Sequence, residues 1–189
     1  SELEQSLREY EIVKSENDTL KEYMNLKDKY KDYTTMPAYV INKDISNYSN
    51  TVVINVGEKD GIKENMTVIA DEGLVGYIVS TTAKTAKIQT IVDSASSTSC
   101  LASTTRDVMT CKGTIESEST LKATNLKIGS NVIQGDSVET SGMGGIYTKG
   151  IHVGRIKKVE TGTNKIDSYA VIETAVDFNK LETVLVIIK

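Results

Sequence analysis

Two periods divide the chain. In the first stretch, Leu3, Tyr10, Asn17 and Met24 recur seven apart, with Ser6, Val13 and Leu20 on the companion positions. That 3.5-residue spacing predicts a helix with a coiled-coil seam. Asn17 stands on the seam as a polar residue of the kind that sets register at a cost in stability. From Tyr23 the stripe slips and continues through Leu26, Tyr30 and Tyr33, a shift that resembles a stutter. After Pro37 the period falls to two. Strand-like segments follow at Tyr39–Asn42, Thr51–Val56, Thr67–Ala70, Leu74–Ser80, Ala86–Val92, Ser99–Thr104, Val108–Glu116, Asn131–Gln134, Ser137–Ser141, His152–Thr161, Ser168–Val176 and Thr183–Lys189. They are short, rich in Val, Ile and Thr, and separated by turn residues, which predicts barrels or sandwiches. No helix-length period interrupts them, so alternating βα units are excluded. Glu116–Lys127 reads as a loop with one irregular strand.

The composition changes where the period changes. Residues 1–36 hold no Gly and no Pro; all 13 glycines follow Pro37, the only proline. Proline disfavours helix at the residue before it and so closes the helical pattern. Charge supports the helix: residues 1–18 hold six acids and two bases, and residues 27–31 hold three lysines and one acid. Acids near the N-terminus and lysines near the C-terminus complement the helix dipole. A helix of this length spans about 50 Å at ~1.5 Å per residue, more than the width of a small barrel. Much of it must therefore project, and a projecting apolar stripe needs a partner. The alternative is an amphipathic helix packed on its own barrel. The expected fold is mainly β: a coiled-coil helix over 1–36, a first small β-barrel over 37–98 and a second over 99–189, with the Ser-rich run at 94–99 as the boundary. Strand exchange between the barrels is compatible with this division.

The 189 residues are 39% apolar and 25% charged, with a net charge of −4. No basic stripe long enough to track phosphates is evident, which argues against nucleic acid. No run of 18 apolar residues is present. The chain opens on Ser1-Glu2-Leu3, already inside the helical pattern, and reads as a fragment of a longer protein. Cys100 and Cys111 are the only cysteines and His152 the only histidine, too few for a four-ligand zinc site. The two cysteines are equidistant from Thr105-Arg106, a candidate hairpin tip. Across such a hairpin they would face each other, either as a disulfide in an oxidising compartment or as two half-buried thiols.

Several motifs resemble catalytic ones. Gly135-Asp136-Ser137 in a two-barrel chain brings chymotrypsin-like proteases to mind, but the only histidine follows the serine and the Gly-rich turn after the nucleophile is absent. A tight turn is the better reading. The glycine spacing of Gly145–Gly150 matches a phosphate loop, yet Ile151-His152 follows where Lys-Ser or Lys-Thr belongs, and no helix follows. No cofactor is expected, and no enzymatic activity. The run Gly142-Met143-Gly144-Gly145, with Tyr147 beyond it, is a candidate partner-binding loop, with a barrel corner as the alternative. Asp71-Glu72 beside Gly73 read as solvated turn residues.

Four ordered segments resemble the MreC family of bacterial rod shape-determining proteins. They are Ile54–Ile62 running on through Met66–Ile69, then Gly73–Val79, then Gly135–Gly142 continuing through Gly144–Ile146 to Gly150–Ile156, and finally Ala175–Phe178 with Leu181 and Val184. They occur in the family's order after a coiled coil. Thr148 and Thr174 depart from it, standing where the family commonly has Pro. The resemblance implies a single-pass membrane protein whose soluble part lies outside the cytoplasmic membrane, anchored by a segment absent from this chain. It also implies dimers and higher assemblies, and a scaffold linking MreD, the actin-like MreB, RodA and a class B penicillin-binding protein of cell-wall elongation.

The expected function is therefore a non-catalytic scaffold of cell shape. Leu3, Tyr10, Val13, Leu20 and Met24 would bury the dimer seam, with Asn17 fixing register. Two rivals are an adaptor of a secretion or efflux system, in which helical hairpins join β-barrels, and an inactive chymotrypsin-like two-barrel protein.

Overall fold

A computed structural model describes residues 2–46, 49–126, 130–160 and 168–188. Helix α1 runs Glu2–Lys29, and twelve strands follow. The first five are β1 (Thr35–Ser46), β2 (Ser49–Ile54), β3 (Thr67–Ile69), β4 (Leu74–Thr81) and β5 (Ala86–Thr90). Then come β6 (Ser97–Ala102), β7 (Val108–Thr114), β8 (Ser117–Thr124), β9 (Ser137–Thr140), β10 (His152–Glu160) and β11 (Tyr169–Thr174). The last is β12 (Thr183–Ile187). They close two six-stranded barrels, ordered β1-β12-β3-β4-β5-β2 and β10-β11-β8-β7-β6-β9.

The helix ends before Pro37 rather than because of it. After Lys29 the chain turns, with the Tyr33 amide donating to the Tyr30 carbonyl at 3.0 Å. The phenols then dock on the two barrels in turn: Tyr30 Oη donates to the Ala70 carbonyl and Tyr33 Oη to the Lys149 carbonyl, each at 3.5 Å. These tyrosines thus leave the helical stripe that the sequence pattern extended through them. Pro37 lies inside β1, opposite Leu185 of β12.

Period-two patterning explains the barrels. In β5, Ala86, Ile88 and Thr90 point inward while Lys87 points out; in β7, Met109, Cys111 and Gly113 are buried while Lys112 is exposed. The cores are aliphatic, with Ile54, Ile69, Leu74, Ile78 and Ile88 filling the first barrel and Met109, Leu121, Ile156 and Ile172 the second.

The two barrels share one topology, and the first is circularly permuted. In each, a hairpin (β1-β2 or β7-β8) joins a three-stranded meander (β3-β4-β5 or β9-β10-β11). The remaining position is filled by β6 in the second barrel and by β12 in the first. The match extends to detail. Asn65 and Gly135 precede the equivalent strands β3 and β9, and both take positive φ, 66° and 92°. The Asn65 amide donates to Ile78 at 2.8 Å, and the Gly135 amide to Ile156 at 2.8 Å. Gly76 and Gly154 occupy equivalent sites in β4 and β10. A Cβ on either would lie 2.0 Å from a backbone oxygen of the next strand, so the barrels close tightly only over glycine.

Two boundaries differ from the sequence reading. β12, within the span given to the second barrel with strand exchange left open, closes the first, because β1 and β3 each present an edge that only a sixth strand can pair. The expected strand at Asn131–Gln134 is an irregular segment whose Val132 is buried, while β8, in the stretch expected as a loop with one irregular strand, is a full strand carrying Leu121 and Ala123 inward.

Candidate partner-binding surfaces

The six seam residues stand on α1 and all are exposed. Leu3 is 83% accessible, Tyr10 65%, Val13 60%, Leu20 57% and Met24 69%, and Asn17 is exposed with them. The stripe is therefore not packed on its own barrels, which removes the alternative of an amphipathic helix folded against them. Tyr30 and Tyr33 form the root of the helix; burial, then the carboxylates of Asp71 and Glu72, push the Tyr30 phenol above its ordinary range. Beside this root is a cleft of about 600 Å³, lined by Asn25, the Ala70–Glu72 turn and the connection that returns from β11 to β12. Asp71 and Glu72, read from sequence as a solvated turn, form one of its walls.

The glycine loop splits into two parts with different fates. Its tip is open: Met143 is 61% accessible, and Gly144 and Gly145 meet nothing where a Cβ would stand. Gly142 is closed in by Lys149, whose Cβ would lie 2.8 Å from a Cβ on the glycine. Its far limb is docked on the first barrel. Thr67 Oγ1 donates to the Ile146 carbonyl at 3.1 Å and accepts from the Thr148 amide at 3.3 Å. Tyr147, expected at a binding surface, is 7% accessible and packs edge-on against Tyr77, ring centres 5.8 Å apart. It is a wedge between barrels. Its hydroxyl and those of Ser96 and Thr98 are buried without a partner in hydrogen-bond geometry. Burial pushes the Tyr147 phenol up to about 12, with the Thr98 and Ser96 hydroxyls pulling partly back.

The connection between barrels is equally fixed. Asp93, buried in the β5–β6 link, accepts from the Asn50 amide (2.7 Å), the Ala95 amide (2.8 Å) and Gln89 Nε2 (3.1 Å).

Cys100 and Cys111 are not opposite each other. Cys100 faces Met109 and Cys111 faces Thr98, so the thiols are diagonal neighbours, and both are free and buried. The two-residue offset arises at the turn, where the Ala102 amide pairs with Asp107 and Arg106 takes a positive φ of 63°. The Cys111 thiol donates towards the Cys100 sulfur, and this bond, then burial, holds it well above its usual range.

The fold does bring Ser137 and His152 together, Oγ to Nδ1 at 3.1 Å. The two stand on the paired strands β9 and β10, and the Ser137 carbonyl is engaged by the Ser103 amide at 2.8 Å. Acyl transfer needs donors converging on an oxyanion beside the nucleophile. This is a hydrogen bond between the first residues of two paired strands. Among the described residues no group of three His, Cys, Asp or Glu is placed to hold a metal, and no helix is long and apolar enough to cross a membrane.

The family model of the rod shape-determining protein MreC, barrel core, matches residues 40–188. The chain belongs to the MreC family. It is 32% identical over 190 residues to the cell shape-determining protein MreC of Listeria monocytogenes, covering 98% of this chain and 64% of that protein. It thus spans less than two thirds of the length of that relative. Among solved structures, an MreC chain superposes with a TM-score of 0.85 at 20% identity, covering 93% of this chain and 98% of that one. MreC from Listeria monocytogenes superposes with a TM-score of 0.74 at 29% identity, covering 98% and 93%. A complex between penicillin-binding protein PBP2 and MreC from Helicobacter pylori contains a chain with a TM-score of 0.65 at 18% identity, covering 82% and 98%. MreC membership agrees with the helix leading into two closed barrels. The adaptor and protease-like rivals fall away with it.

Proposed function

We propose that this chain is the non-catalytic scaffold part of a cell shape-determining MreC protein, paired with a second copy through α1 and holding enzymes of cell-wall elongation. The observation that carries the pairing is the exposed seam. Both barrels are complete without α1, and five large apolar side chains along it remain more than half accessible. Burying their exposed parts recovers about 1–2 kcal/mol each, scaled from ~1.5–3 kcal/mol for full burial. Summed over both helices this is about 10–20 kcal/mol, a few kcal/mol above the ~4–15 kcal/mol cost of association, so the pair is of moderate affinity. Asn17 fixes a parallel register. The surroundings of the pair are extracytoplasmic, with an anchor upstream of residue 1.

A class B penicillin-binding protein is the partner this reading favours, because the Helicobacter pylori relative forms such a complex on the same fold. RodA, MreD and MreB complete the proposed assembly. The open loop tip at Met143–Gly145 is the contact site on the barrels, now without Gly142 and Tyr147. Pairing doubles this surface and raises the effective concentration of tethered partners. Titration of this chain against the extracytoplasmic domain of a class B penicillin-binding protein from the same cell tests the partner. Saturable binding weakened by Met143→Asp is expected; no binding at any concentration overturns it.

A further inference from the structure

We infer that the outer face of the second barrel binds a linear polymer of phosphodiesters. The sheet register carries the argument. Lys112 of β7 lies directly opposite Lys122 of β8, Lys122 opposite Val171 of β11, and Val171 opposite Lys158 of β10. Three lysines therefore stand in one line across four strands, and all three are exposed. With strands ~4.8 Å apart the line is about 15 Å long.

The arrangement works against folding. Like charges directly opposite in an antiparallel pair repel, and the chain as a whole is acidic, with 26 acids against 22 bases. Acids do reach the far end of the line: Lys158 pairs with Glu160 at 2.5 Å, and the neighbouring Lys157 with Glu173 at 3.4 Å. Lys112 and Lys122 meet no carboxylate among the described residues. Lys122 Nζ instead stands 4.5 Å from the centre of the Tyr169 ring, which orients it on the surface. A pair of cations left opposite each other beside an aromatic ring is what an external anion would neutralise.

The form of the face selects the anion. The barrel is closed, so β7, β8, β10 and β11 are each paired on both sides and offer an extended peptide no edge to join. Only side-chain ammonium groups remain, and these recognise phosphate as point charges. A bilayer would require apolar anchors along the line, and its one apolar member, Val171, is half-buried. A convex barrel also meets a plane only along a line. Single charges repeated along a flexible chain, free to adjust to the gap at Val171, suit the row best.

The test uses the whole chain and a synthetic glycerol-phosphate decamer, followed by calorimetry across a salt series. Binding at low salt is expected, with affinity falling as salt rises. Lys112→Ala with Lys122→Ala should weaken it at least tenfold and flatten the slope of log affinity against log salt by roughly 0.7 per lysine. Lys59→Ala with Lys84→Ala, exposed lysines on the first barrel, should leave it unchanged. Lys112→Glu, which creates an opposite-charge pair with Lys122, should abolish binding while raising the melting temperature, so loss of binding cannot be loss of fold. No binding of the decamer, or equal binding by the Lys112→Ala/Lys122→Ala variant, overturns the inference. So does equal affinity for a glutamate decapeptide, or binding only to phosphatidylglycerol vesicles.

Discussion

Replacing Tyr147 by Phe separates its two contributions, packing and titration. The ring is buried edge-on against Tyr77, and the hydroxyl stands near those of Thr98 and Ser96 without reaching full hydrogen-bond geometry to either. Phe keeps the ring and deletes an unsatisfied polar atom, whose burial costs ~1–3 kcal/mol. At pH 7 the variant should therefore be as stable as the parent or up to about 1 kcal/mol more stable. Alkaline pH reveals the second contribution. The phenol's pKa is raised from 10.0 in the unfolded chain to about 12 in the folded one. Below pH 10 both states hold the proton, and the stability is fully present. Between pH 10 and 12 only the unfolded state releases it, so stability falls as pH rises. Two pKa units correspond to about 2.7 kcal/mol. Urea denaturation of parent and variant at pH 7, 10 and 11.5 reads the difference, since every other titrating group is common to both. The parent should lose about 2 kcal/mol relative to Phe by pH 11.5. A variant destabilised by more than about 1.5 kcal/mol at pH 7 would mean that the hydroxyl is paired, and would refute this description of the barrel junction.

Gly76→Val should cost about 3 kcal/mol or more, because its Cβ would meet Gln89's carbonyl at 2.0 Å. A fall in melting temperature of roughly 6–12 °C is expected, and scanning calorimetry checks it. The Cys111 thiol, raised by its hydrogen bond to Cys100 and by burial, should resist iodoacetamide in the native protein at pH 8 while reacting fully in urea; quantitative labelling of the native protein would contradict the burial.

The helix and most of the strands were legible because their signals are local. Leu3 to Met24 keep a seven-residue repeat, and segments such as Ala86–Thr90 alternate cleanly. β8 was not legible as a full strand because Ser117–Thr124 shows only Leu121 and Ala123 as apolar residues. Asn131–Gln134 reads as a strand by composition, but the positive φ at Gly135 turns the chain there. The remaining misreadings are long-range. β12 pairs with β1 and β3, more than a hundred residues earlier, so sequence proximity gave its span to the second barrel and left the exchange only as an open alternative. Tyr147 follows a glycine run and looked exposed; Tyr77, seventy residues away, covers it. The Lys112–Lys122 opposition likewise exists only once the hairpin register is known.

Sedimentation equilibrium decides the central claim of pairing through α1. Residues 1–189 should sediment as a dimer, and Val13→Asp with Leu20→Asp as a monomer of unchanged melting temperature. These two side chains are 60% and 57% accessible in the single chain. Losing Leu20 alone from both helices should cost about 2–4 kcal/mol, a rise in dissociation constant of roughly 30- to 1,000-fold. A chain that is monomeric before substitution, or a dimer that survives both aspartates, would contradict the account.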